Sequence, residues 1–208
     1  MLSLDFYPNK EGIQQVQEAL EIYERLNDVP GQTRSLRALA NILHDDWQLD
    51  VAEGVASQVI NRFSGKGEQY NVCLAHSVLG AIYRSKGEAE KALDHYETAL
   101  GIASGFNWRF VLVWVHYAFA SLSFDKDKFD DAHTHIERAK LLAVNDGYYL
   151  GRMVEHQAQF WYNQGKFEEA RTAASHAAEV YERVGATKDV EDCRRLLRKT
   201  DEATKGEV

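Results

Sequence analysis

The residues of this chain best suited to hold a metal ion or move a proton are its eight histidines. Their spacing argues against a metal centre. His133 and His135 are two positions apart, which on a helix sends them to different faces. No HExxH occurs, and no histidine stands at a convincing ligand spacing from a carboxylate or a second histidine. His76 and His116 fall inside amphipathic runs and are expected as core or half-buried side chains. Gly65-Lys66-Gly67 has the composition of a phosphate loop, but it lacks the GxxxxGK[ST] spacing and no strand precedes it, so it is read as a turn. Asp45-Asp46 and Asp130-Asp131 could in principle do acid–base work. Asp130-Asp131 opens a helix, however, where negative charge favours the N-terminal dipole. With no nucleophile elbow, dinucleotide fingerprint or metal triad, the sequence predicts a non-enzyme with no cofactor and no metal.

These residues are carried on a repeating scaffold. Ala52, Ala92, Ala132 and Ala170 lie 40, 40 and 38 positions apart, and Gly12 extends the series by a further 40. Each alanine follows a polar turn and an acidic residue and opens an amphipathic run. A period in this range signals stacked helical hairpins. The unit from Cys73 to Ala103 is the clearest. Leu74, Val78, Leu79, Ile82 and Tyr83 recur with helical spacing. Lys86-Gly87-Glu88 breaks the pattern, glycine supplying the backbone geometry of a helix C-terminus. Ala92, Leu93, Tyr96, Ala99 and Leu100 then resume it. Two helices joined by so short a turn pack antiparallel.

Leu79, Gly80, Tyr83, Gly87, Ala92, Tyr96 and Ala99 resemble the tetratricopeptide repeat, with small residues where helices A and B cross and an aromatic between them. His76 departs from that pattern, standing where a tryptophan or other large apolar residue is common. The other units match with more erosion, through Leu39, Ala40 and Ala52, through Phe119, Ala120, Phe129 and Ala132, and through Ala158, Trp161, Gly165 and Ala170. The resemblance implies an all-α, right-handed superhelical solenoid of antiparallel helix pairs over residues 1–203. A leading helix B is expected over 10–28, repeats over 33–64, 73–104, 113–144 and 151–182, a capping helix over 188–201 and a disordered tail over 204–208. The period, near 40, resembles the longer-repeat branch of the family. The extra residues are assigned to the connections before each helix A, such as Asn27 to Gln32 and Ser64 to Glu68.

In that family the A helices line a concave groove. The resemblance assigns to it Arg34, Arg37, Asn41 and His44, then Ser77 and Arg84, then Trp114, Tyr117, Ser121 and Phe124, and last Arg152, Glu155, Gln159 and Tyr162. Arginine forks bind carboxylates and aromatics supply binding area. The implied partner is a protein or peptide, acidic with apolar anchors. The alternative for the aromatics is that they fill the inside of a tight superhelix. Arg37 and Asn41 match the carboxylate clamp of chaperone-binding members, but Val78, Trp114 and Ala118 stand where that clamp needs polar or basic residues. Two other functions stay open: a ligand-sensing C-terminal region of a larger signalling ATPase, and a self-associating scaffold. Phe106, Trp108 and Phe110 are expected to staple adjacent hairpins.

Composition narrows the partners. The formal net charge is −8, which disfavours nucleic acid and an anionic membrane surface. No apolar run approaches bilayer length. Cys73 and Cys193 stand 120 apart with no CxxC, and they are read as small hydrophobes of a cytoplasmic protein.

Overall fold

The computed structural model describes residues 10–126, 128–143 and 147–206, leaving out the side chains of 129, 149 and 205. The side chain of Phe129, used in the repeat alignment above, lies outside the described residues. Among the described residues there are α-helices and no strand. The helices fall into two compact units, 1–107 and 108–208. The first holds α1 (Lys10–Arg25), α2 (Val29–Asp45), α3 (Leu49–Phe63), α4 (Gln69–Ser85) and α5 (Ala89–Gly105). The second holds α6 (Arg109–Asp125), α7 (Phe129–Leu142), α8 (Gly147–Asn163), α9 (Phe167–Val184) and α10 (Thr187–Gly206).

The four A helices α2, α4, α6 and α8 each run 17 residues. Each begins four residues before the start given by the repeat alignment: 29, 69, 109 and 147 against 33, 73, 113 and 151. Much of the long period is therefore an added turn of helix A, where a longer connection was expected. The start of α2 shows how the added turn forms. Asp28 caps it, its carboxylate accepting from the Gly31 amide at 3.1 Å. Pro30 sits in the first turn, where a missing N–H costs nothing. At the far end, α10 continues to Gly206, so residues 204–206, assigned above to a tail, are helical, and residues 207 and 208 lie outside the described residues.

The alanines of the repeat sit where the paired helices cross. Ala52, Ala92, Ala132 and Ala170 are each 0% exposed. Close approach is also set by glycine against tyrosine. A Cβ on Gly80 would stand 2.3 Å from the Tyr96 ring, and one on Gly151 would stand 2.7 Å from the Tyr181 ring. Both tyrosines are fully buried. In the first unit, Leu39, Leu43, Ala56, Leu79 and Ile82 form one core cluster, and Leu36, Val59, Phe63 and Val72 form another. In the second, Val154, Ala158, Ala174, Ala177, Val190 and Cys193 gather around Tyr181. Burial of these side chains, at about 25 cal/mol per Å², holds neighbouring hairpins together.

Candidate functional site

In the first unit the candidate residues lie on α2 and α4. Arg34 is exposed, while Arg37, Asn41, His44, Ser77 and Arg84 are half-buried. His44 Nε2 and Ser85 Oγ are 2.9 Å apart, which ties the two A helices together. Ser77 donates back to the Cys73 carbonyl at 3.3 Å. Arg37 is the unusual member: its Nε is buried without a hydrogen-bond partner. Burial pulls its guanidinium below the usual arginine range, and the nearby Tyr70 only partly offsets this. A buried cation is costly unless an anion or hydrogen bonds compensate it.

In the second unit the aromatics are engaged with one another. Tyr117 hydroxyl and His156 Nε2 are 2.7 Å apart, and Trp114 meets the Tyr117 ring edge-on at 5.9 Å. Phe124 packs on Phe160 at 4.8 Å, and Tyr162 packs on Phe167 at 5.6 Å. Burial would lower the Arg152 guanidinium, but the nearby Tyr117 and Tyr148 hydroxyls outweigh it and hold the group above the usual arginine range. Glu155 accepts from the Tyr181 hydroxyl at 2.7 Å, and burial raises its carboxyl above the usual range. Gln159 is exposed and bonds Asn163 at 2.9 Å. Ser121 is buried, which removes its hydroxyl from the candidate set. Of the candidate aromatics Trp114, Tyr117, Phe124 and Tyr162, only Trp114 is exposed, at 41%.

A concavity of about 360 Å³ lies between α8 and α10. From α8 it is lined by Glu155, His156 and Gln159, and from α10 by Asp192, Arg195, Leu196 and Lys199. Arg195 bonds Asp192 at 2.9 Å. The sequence reading treats α10 as a solvating cap and omits these four residues. Their signal is the spacing of Asp192, Arg195, Leu196 and Lys199, which puts them on one helical face.

The histidines pair in a way that sequence spacing hides. His76 Nδ1 lies 2.9 Å from His95 Nδ1, and His116 Nδ1 lies 3.1 Å from His135 Nδ1. Both pairs join helix A to helix B of one hairpin, and both are 19 residues apart. His95 stacks on Tyr83 at 5.3 Å, and His135 stacks on Phe119 at 4.8 Å. In each pair one Nδ1–H donates and the other Nδ1 accepts, so both rings can be neutral. Burial, reinforced by the neighbouring ring, holds His76 and His116 down to about 4. Burial lowers His95 and His135 as well. Among the described residues no group of three or more His, Cys, Asp or Glu could hold a metal ion. Among them, too, no helix is long and apolar enough to cross a membrane. Phe106 and Phe110 are partly exposed, at 55% and 41%.

No family model and no curated protein matches the sequence. Solved structures do match. BtubC from P. vanneervenii is similar with a TM-score of 0.69 and 17% identity, over 96% of this chain and 93% of that one. The TPR-like repeats of a putative kinesin light chain from Podospora anserina give a TM-score of 0.56 and 12% identity, over 85% and 88%. The fold is that of the tetratricopeptide-type helical repeats. A Rap protein complexed with competence and sporulation factor has the same kind of fold, with a TM-score of 0.64 and 16% identity. The match covers 91% of this chain and 58% of the Rap chain. In tetratricopeptide-type terms α10 packs on α9 and reaches α8, the place of a further helix A.

Proposed function

We propose that this chain is a non-catalytic interaction module that holds a peptide or protein segment on the faces of its A helices. The observation that carries the reading is the α8–α10 concavity, which Glu155 and Gln159 line from one side and Arg195 and Lys199 from the other. Lining of this kind suits a polar or charged segment, and a preformed site costs little to order. The first unit adds Arg37, a half-buried guanidinium that a ligand carboxylate would compensate. The Rap neighbour, solved with competence and sporulation factor, is a precedent for capture of a ligand on this fold. A segment held on α2 and α4 of the first unit is expected to be acidic.

Capture from the native cell, run with the wild-type chain and with Arg37→Glu/Lys199→Glu, tests this. Lys199 is exposed and Arg37 half-buried, and far-UV circular dichroism checks that the variant keeps its helices. The reading expects the bound species to be lost from the variant. Equal capture by both proteins would move the site off the A helices.

A further inference from the structure

We propose that the turn joining α2 to α3 is a second interaction surface, centred on Trp47, that takes an arginine-bearing segment of a partner. Trp47 is 72% exposed and has φ +59. The same slot of other hairpins holds Gly87 at +77 and Gly165 at +71. Asn27 and Asn107 hold positive φ at two other turns, and asparagine tolerates that region as a bulky side chain does not. Fold stability therefore favours glycine or asparagine at 47. A tryptophan here leaves its indole in water and adds nothing to the core. Val51, one helical turn on, is likewise 55% exposed.

The surroundings select the partner's charge. Asp45 and Asp50 have side chains that are 72% and 96% exposed. Asp46 is half-buried in the same turn, and Glu53 follows on α3, its carboxylate held by Tyr83 and Lys86. Lys86, the residue that follows α4, is already engaged by Asp50 and Glu53. The indole face is the strongest aromatic site for a cation, and the nearby carboxylates add ion pairs. A guanidinium suits both, because its plane stacks on the ring while its fork meets a carboxylate. An acidic segment would be repelled. This surface adjoins the C-terminal end of α2, where Asp45 lies 3.4 Å from His44, and it differs from the proposed groove in the charge it selects.

The test is a nuclear magnetic resonance titration of the full ¹⁵N-labelled chain with the capped peptide Gly-Arg-Gly-Arg-Gly. The indole N–H of Trp47 is assigned by its loss in Trp47→Gly, a change the backbone at this slot accommodates. We expect the Trp47 signal to shift saturably while those of Trp108, Trp114 and Trp161 stay in place. The matching Glu peptide should give no shift, and Asp45→Asn/Asp50→Asn should weaken binding about fivefold. The variant Arg37→Glu/Lys199→Glu should titrate like wild type, which separates this surface from the proposed groove. The proposal is overturned if the Trp47 indole moves no more than the other three. It is equally overturned if the Asp variants leave the apparent Kd unchanged.

Discussion

The two histidine pairs should make this fold sensitive to mild acid. His76 and His116 are held at about 4 inside the hairpins, against an ordinary value near 6.5. The unfolded chain therefore binds more protons than the folded one between those two values. Stability is at its full value above pH 6.5 and falls as the pH drops toward 4. For one such group the loss between pH 7 and pH 5 would be about 2 kcal/mol with no screening. The rings are only partly shielded from water, and halving for this leaves about 1 kcal/mol each, or about 2 kcal/mol for both. Their neighbours do not reverse the sign. Asp94 and Glu53 act on His95, and Asp131 acts on His135, each raising a ring that burial nevertheless leaves lowered. Arg138 adds to the depression of His116 and His135.

The assay is urea unfolding followed by circular dichroism at pH 7 and pH 5. It is run on the wild-type chain and on His76→Gln/His116→Gln. Glutamine keeps a hydrogen bond to the remaining ring but does not titrate, so the variant should lose about 2 kcal/mol less than wild type over that interval. Only the difference between the two pH values matters, so any uniform cost of the substitutions cancels. Equal losses in the two proteins would refute the reasoning.

Four further outcomes follow from packing and backbone geometry. Gly80→Ala should destabilise by about 1–3 kcal/mol in thermal or urea unfolding, because its methyl meets the fully buried Tyr96 ring at 2.3 Å. Gly101→Ala on α5 meets nothing within 4 Å and should instead stabilise by about 0.5–1 kcal/mol. Both thiols should resist Ellman's reagent in the native state and react on unfolding, since burial pushes Cys73 up to about 11 and Cys193 up to about 12. Trp47→Gly should raise the melting temperature, because glycine removes the strain of φ +59, and an unchanged or lower value would argue that the indole packs after all.

The repeat was legible because its signal is periodic and redundant. Four alanines at nearly constant spacing, all fully buried, report helix crossings that no single residue would reveal. The added turn of each helix A was not legible, for a local reason. Val29-Pro30-Gly31-Gln32 carries two residues that usually end helices, and only the Asp28 cap and the tolerance of proline in a first turn make them begin one. The resemblance put Glu155 and Gln159 on the expected groove face of α8, and both line a concavity, but the charge-rich composition of α10 concealed its share of that lining. The histidine pairs were hidden because their 19-residue separation spans a turn, and contact across a turn depends on how two helices rotate against each other.

That last point joins stability to the proposed function. A hairpin of this fold is held by apolar burial, and an apolar pair would serve where the histidines stand. Instead each of two hairpins buries a neutral, hydrogen-bonded imidazole pair at the same place in the repeat. Each pair is stacked on an aromatic of its own A helix, Tyr83 or Phe119. A polar pair of this kind fixes how far the two helices may rotate, because only one rotation brings both Nδ1 atoms within bonding distance. The rotation of helix A within its hairpin also sets which side chains it presents on its far face. His116 and Tyr117 are successive residues of α6, one bonded within the hairpin and the other to His156. Loss of the pair in acid should therefore disturb the Tyr117–His156 contact before the hairpin unfolds. It would be seen as a shift of the His156 ring resonances at a pH above the unfolding midpoint.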